Sequence, residues 1–352
     1  MAYTTIDKPS DYFNTKLYTG TGSSHAITGV GFAPNWVWIK HRDEANPHKI
    51  FDTVRGVGKS LKSNSSDAQA SNEENGYVSA FGSDGFTVVG GSTSSNDVNK
   101  SSGTYVAWNW KAGTSFTNDA SSTGIGSIDS AGSVNDTAGF SICTHTGTGS
   151  LGTIKHGLST KPSVILTKER SEARDWIMYH QSLGATKYLY LNTTAVAADS
   201  DNFMNDTEPT SSVFTVKGFS EVNKASQTYV SYIFSEKQGY SKFSSYVGNG
   251  NADGAFVYTG FKPAWVMVKR TDSANDWCLY DNKRDTDNVV QDKLQPNQNS
   301  AESDDTSMDF VSNGFKFRET GGNFNASGGT YIYMAFAENP FVASNFVPAT
   351  AR

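Results

Sequence analysis

Cysteine is nearly missing from the 352 residues: Cys143 and Cys278 are the two present. No second thiol or histidine stands at ligand spacing from either one. This speaks against a disulfide framework, a redox pair or a metal cluster, and both read as small buried apolar side chains inside strands. Such usage suits a chain that folds in a reducing cytosol. Positive charge is also short. Lys and Arg number 29 against 35 Asp and Glu, giving a formal charge of −6 and a pI near 5.5. No basic field is available to neutralise phosphates, which points away from DNA, RNA and anionic membrane surfaces. No window approaches the roughly 18 to 20 apolar residues that a membrane span needs, and the stretch Met1 to Lys8 has no apolar signal core. The expectation is a soluble chain with no membrane insertion and no secretion address. Long Leu/Ala/Glu/Lys helical runs are lacking as well.

What is abundant is glycine (33), phenylalanine (21), tyrosine (16) and tryptophan (7), scattered among Ser, Thr and Asn. Short aromatic strands broken by turns have this composition, so the fold class is all-β. Three segments start alike, at Gly31 to Lys40, Leu158 to Lys168 and Gly260 to Lys269, each reading turn, proline, apolar strand, lysine. From Pro34, Pro162 and Pro263 it is 52 residues in each case to Phe86, Phe214 and Phe315. Phe51, Tyr179 and Tyr280 keep step at 17 residues, so offsets of 128 and 101 relate the segments at several independent points. Each opens on a glycine-punctuated strand end (Thr19 to Gly22, Thr146 to Gly149, Gly248 to Gly250) and closes on an aromatic strand (Gly103 to Trp110, Gln227 to Phe234, Gly329 to Phe336). A period of roughly 100 residues exceeds that of solenoid repeats and suits units with a core of their own.

The expected organisation is therefore three tandem antiparallel β-sandwich repeats at 13–113, 138–239 and 240–341. They are preceded by an N-terminal arm (1–12), interrupted by a Ser/Gly/Thr-rich linker (114–137) and followed by a C-terminal tail (342–352). The second and third repeats, joined almost without a break, should pack rigidly, and the first should be free to sit apart. After each proline the strand is apolar on both faces, with Trp36 and Trp38, Val164 and Leu166, Trp265 and Met267 on one side and Val37 and Ile39, Ile165, Val266 and Val268 on the other. Such a strand is central, covered by a second sheet and by something else such as a loop or helix.

Chemistry-bearing patterns are sparse. The histidines at 25, 41, 48, 145, 156 and 180 show no zinc spacing with a carboxylate. Gly56-Val-Gly58-Lys-Ser lacks the spacing of a phosphate-binding loop and reads as a turn, and there is no nucleophile elbow. No strand carries the paired carboxylates of a glycosidase, so no catalytic residue, cofactor or metal is assigned. Asp199 to Asp201 and Glu302 to Asp305 read as solvated loop charge. Trp176 and Trp277 occupy equivalent positions, where the first segment has His48, and Asp52, His180 and Asp281 follow four residues later. Core packing is the plain reading of the tryptophans. Their polar setting makes Trp176, Trp277, His180 and Asp281 the candidate glycan-binding residues. Lys40, Lys168 and Lys269 recur after the central strand and read as strand ends reaching water.

Taken together, Gly-Phe-x-Pro-x-Trp-Val-x-Ile/Val-Lys, Asp-Gly-Phe-Thr-Val and Gly-Thr-Tyr-Val-Ala-Trp-x-Trp-Lys-Ala-Gly resemble a repeated domain of uncharacterised virion proteins of marine tailed bacteriophages. The likeness extends through Gly184 to Asn192, Gly239 to Phe243 and Thr330 to Pro340. It implies lectin-like, SPRY-like or jelly-roll-like sandwiches and a non-enzymatic virion protein, an exposed tail-fibre or adhesin-like component held to the particle by the arm or the first repeat. The partners implied are other virion proteins and host surface polysaccharide, with a homo-oligomeric, trimeric assembly as in many fibres, although no coiled-coil heptads occur. A capsid decoration or tail protein touching only other virion proteins is the alternative, and a carbohydrate-active enzyme a weaker one.

Overall fold

The structure is a computed structural model that describes residues 3–93 and 96–343. The expected tail lies outside these residues except at 342 and 343, as do Met1 and Ala2 of the arm. Among the described residues the α-helices are single turns, Ala120–Thr123, Asp201–Met204 and Ser220–Asn223, and the rest of the regular structure is antiparallel sheet apart from one short 3-10 turn and three isolated bridges, one of them parallel. The chain is all-β.

Each segment contributes a large sheet with one strand order. In the first, the neighbours are Phe13–Thr19, Thr104–Trp110, Trp36–His41, Lys49–Asp52, Lys59–Lys62 and Ala70–Ser71. The second repeats this with Phe140–Thr146, Thr228–Phe234, Val164–Glu169, Ile177–His180, Lys187–Tyr190 and Ala198–Asp199, and the third with Ser241–Val247, Thr330–Pro340, Phe261–Arg270 and Cys278–Asp281. A second sheet, of three, two and four strands in turn, covers the outer face in each case, built on Gly85–Val89, Val213–Val216 and Gly314–Phe317, so that Phe86, Phe214 and Phe315 enter three separate outer cores.

The two apolar faces of the central strand have different destinations. Val37 and Ile39, Ile165, and Val266 and Val268 point into the outer cores. Trp36 and Trp38, Val164 and Leu166, and Trp265 and Met267 all meet in one inner core. The unidentified cover of the inner face is thus the other two segments. Trp36 stacks on Tyr232 with centroids 4.5 Å apart, Trp110 meets Trp265 edge-on at 5.8 Å, and Phe13 stacks on Phe336 at 5.2 Å. Expecting the first segment to sit apart is therefore wrong: its tryptophans fill the middle of the molecule. Stacking and edge contacts of this kind add to the area they remove from water.

The expected linker at 114–137 is also corrected. Thr114–Asn118 and Ser130–Asn135 form a hairpin that pairs onto Phe140–Thr146 and extends the second sheet at its edge. Its small residues suit an edge strand with one face on the sheet, and Phe116 and Val134 pack on the outer core beneath. At the other end of the chain the arm is docked. Ile6 is buried in the inner core, Tyr3 donates its hydroxyl hydrogen to the Gly260 carbonyl at 2.7 Å, and Thr4 donates to Gln238 at 2.7 Å.

The glycine-punctuated openings have a steric cause. A Cβ on Gly20, Gly147 or Gly248 would lie 2.1, 2.2 or 2.3 Å from a backbone carbonyl oxygen of Lys100, Lys224 or Ala326. Buried Asn99, Asn223 and Asn325 pin the same loops, each accepting from a backbone N–H (Thr21, Thr148, Asn249) and donating to a carbonyl.

Candidate functional site

The four candidate binding residues are not at the surface. Trp176, His180 and Asp281 are 0 % exposed and Trp277 is 1 %, which bears out core packing as the plain reading of the tryptophans and corrects the alternative of a glycan-binding set. Their polar atoms face the neighbouring segment. The Trp176 indole donates to the Lys62 carbonyl at 2.7 Å and that of Trp277 to the Tyr190 carbonyl at 2.9 Å, so second binds first and third binds second through the same bond. His48, at the matching place in the first segment, is buried and accepts from the Trp38 indole at 3.0 Å.

The residues four places later close a ring in the opposite direction. Asp52 accepts from the Tyr232 hydroxyl at 2.6 Å, joining first to second. His180 donates from Nε2 to the Tyr333 carbonyl at 3.2 Å, joining second to third, while its Nδ1 accepts from the Ser182 N–H. Asp281 accepts from the Trp108 indole at 3.0 Å, joining third to first. Burial drives the His180 pKa down to about 4 against the opposing pull of the Tyr333 carbonyl, so the ring is neutral near pH 7. Burial alone would raise the Asp281 pKa, but the charge and hydrogen bonds of Arg284 hold its carboxyl below the usual range.

The recurrent lysines also differ from expectation. Lys40, Lys168 and Lys269 are 0 % exposed, because the strand end on which each sits lies beneath a loop. Lys168 donates to the carbonyls of Ser66 in the first segment and Glu169, at 3.2 and 2.8 Å. Lys269 repeats this one segment on, with Thr194 and Arg270 at 3.2 and 2.8 Å. Lys40 caps His41 and Glu44. Burial lowers the pKa of all three to about 8. Between that value and the unfolded value of about 10.4 the folded chain releases a proton that the unfolded chain keeps, so these groups make stability rise with pH across the window. Lys168→Met is expected to remove one such contribution. Denaturant midpoints measured from pH 7.5 to 10 should show the wild type gaining on the variant by about 2 to 3 kcal/mol. Parallel curves would mean that Lys168 is not a buried, titrating ammonium.

Cys143 and Cys278 are buried in different segments, and burial raises both thiols, Cys143 to about 12. Glu302, expected in a solvated loop, instead accepts from Arg42 and Arg284 across the third-to-first junction. Among the described residues no three His, Cys, Asp or Glu side chains gather as a metal-holding group, and no helix is long and apolar enough to cross a membrane.

The accessible concavities lie where sequence reasoning did not look. One groove of about 410 Å³ runs between the arm and the third segment, lined by Tyr3, Glu236, Gln238, Lys242 and Tyr258. Tyr258 is 54 % exposed and, with Phe256 two residues earlier on the same strand, presents an aromatic face to solvent. A second cleft of about 510 Å³ opens between the second and third segments, over Leu183, Val196 and Ala197 on one side and Ser245, Thr271 and Thr330 on the other. Only a position-by-position comparison of the three segments could have flagged this cleft, since three of its residues, Leu183, Ala197 and Thr271, depart from their counterparts in the other segments. Over residues 8–340 the chain matches the family described as Domain of unknown function (DUF7483). No curated protein matches it.

Proposed function

The chain belongs to the DUF7483 family, whose description assigns no activity, and we propose that it is a non-enzymatic structural protein of a tailed-phage particle that meets host surface glycans through grooves at its rim. The observation that supports this most directly is what the recurring residues do. Trp176, Trp277, His180, Asp281, Asp52 and two of the three lysines bond one segment to the next, in the manner of a scaffold that fixes relative position. In this reading each segment is a sandwich module, the three close a pseudo-threefold body, and sequence freedom is left to the loops and clefts between them. The phage assignment rests on the residue patterns quoted above, and the glycan assignment on exposed aromatic and hydroxyl groups beside open grooves.

Antibody labelling of purified particles in the electron microscope, together with binding of the purified chain to host cells before and after removal of their surface polysaccharide, tests both parts. Labelled particles and polysaccharide-dependent binding are expected. A chain absent from particles would overturn the virion assignment, and release of reducing ends from host polysaccharide would make it an enzyme. Labelled particles with no polysaccharide dependence would favour a role confined to other virion proteins.

A further inference from the structure

The three junctions are built on equivalent positions, and their differences single out one of them. At each junction the same backbone bond recurs: Gln69 N–H to the Arg170 carbonyl at 2.9 Å, Ala197 N–H to Thr271 at 2.9 Å, and Glu302 N–H to Arg42 at 2.8 Å. Residues 55, 183 and 284 correspond through the offsets of 128 and 101 and sit beside these bonds. Side chains at the matched places are Arg55, Gln69 and Arg170 at the first-to-second junction and Arg284, Glu302 and Arg42 at the third-to-first.

In both of these, two guanidinium groups converge on one acceptor. Arg170 and Arg55 reach the Gln69 amide oxygen at 3.0 and 3.4 Å. Arg42 Nε and Arg284 lie 2.9 and 2.8 Å from Glu302. At the second-to-third junction the same places hold Leu183, Ala197 and Thr271. Both arginines and the acceptor are gone together, and there the 510 Å³ cleft opens. The hollow beside Arg170 is smaller, about 280 Å³. A gap at the place of three coordinated replacements has here the dimensions of a small-ligand site, about 300 to 1,000 Å³.

Its chemistry selects the occupant. Leu183, Val196 and Ala197 give the lining its aliphatic surface, and Ser182, Ser245, Thr271 and Thr330 add hydroxyls, of which those of Thr271 and Thr330 bond to each other at 2.7 Å. One ammonium, Lys187, and one carboxylate, Asp272, face it, and Asp272 is already paired with Arg270 at 2.9 Å. The two charges in the lining cancel formally, with Arg270 lying outside it. A ligand with an apolar ring face and many hydroxyls fits such a surface, since each buried hydroxyl must find a partner.

We propose that the cleft between the second and third segments is the binding site for a neutral hexose unit of a glycan. This rests on the glycan reading given above and goes beyond it by choosing the cleft over the Tyr258 groove.

The molecule itself supplies the plug. Thr271→Arg combined with Ala197→Gln copies the Arg170 and Gln69 pair into the cleft, and Ser245→Arg at an exposed strand position blocks the rim should the double variant fail to fold. The full chain is applied to an array of neutral hexose oligosaccharides and of sialylated or phosphorylated ones, and the strongest neutral ligand is titrated calorimetrically. Wild type should bind neutral glycans, and either plugged variant with an unchanged melting temperature should lose about tenfold or more in affinity. Wild-type affinity in both plugged variants, with loss in Tyr258→Ala, would move the site to the other groove and overturn this inference while sparing the glycan reading. Binding confined to the charged glycans would overturn the neutral assignment. Silence of the wild type across the whole array would overturn the glycan reading itself, and this site with it.

Discussion

Asp52→Ala is expected to be among the most damaging single substitutions in the chain, lowering stability by about 3 to 5 kcal/mol in urea unfolding. Asp52 and Arg55 are both fully buried in their side chains and paired. Arg55 also donates to the Ile50 carbonyl at 3.0 Å and to the Tyr232 hydroxyl at 3.2 Å, and Tyr232 donates to Asp52. Removing the carboxylate leaves a guanidinium in the interior with only neutral acceptors, and takes away the acceptor of the Tyr232 hydroxyl hydrogen. The second-to-third junction shows how the same place is built without charge. There the matched residues are His180, Leu183 and Met334, and a neutral imidazole bonds to a backbone carbonyl instead. The triple change Asp52→His, Arg55→Leu, Tyr232→Met should therefore recover most of the loss, ending within about 1 to 2 kcal/mol of wild type, because uncharged groups of matching shape can replace a buried pair at little cost. A single variant as stable as wild type would mean that the pair is solvated. A triple variant no better than the single would mean that the junctions are not interchangeable.

The junction chemistry was only half legible beforehand. The spacing marked Asp52, His180 and Asp281 as matched, and alternation along Trp36 to Ile39 showed a strand covered on both faces. An apolar pattern states that a face is covered and is silent on what covers it, so the inner core shared by all segments could not be read from one strand. Core packing is the right reading of Trp176 and Trp277, and the glycan alternative arises because their sequence neighbours, Arg174, Asp175, Asn275 and Asp276, are polar. Those neighbours belong to the loop, and the Asp175 and Asp276 carboxylates accept from Asn192 and Asn297, folding the polar groups onto themselves while the indoles turn inward. The lysines misled for a related reason. A terminal lysine on a strand normally reaches water, and here a loop, from the preceding segment for Lys168 and Lys269, supplies carbonyls in its place, a tertiary fact with no local signature. Residues 114–137 were misread because a hairpin of Ser, Thr, Gly and Ala at a sheet edge has the composition of a linker. Its two apolar contacts, Phe116 and Val134, are too few to set a period.

Because the inner core is shared, the chain should unfold as one unit, and Trp36→Ala tests this with an effect comparable to that of Asp52→Ala. The Trp36 ring lies 4.4 Å from Trp110 in its own segment and 4.5, 5.8 and 5.9 Å from Tyr232, Phe140 and Phe234 in the second, centroid to centroid. Truncation would leave a cavity bounded by two segments, with an expected cost of about 3 to 5 kcal/mol. In scanning calorimetry the wild type should give a single transition whose calorimetric and van't Hoff enthalpies agree, and the variant should move that whole transition down. Independent sandwiches would behave otherwise: two or more transitions would be resolved, and only the one containing Trp36 would shift. The difference arises from where the large side chains point. Outer-core residues such as Phe86 or Phe315 bind a segment to itself, whereas Trp36, Trp110, Trp265 and Phe336 contact rings of other segments, so loss of any one segment exposes the inner faces of the other two. That exposure couples the three, so the walls of the cleft between the second and third segments stand on a core to which the first also contributes.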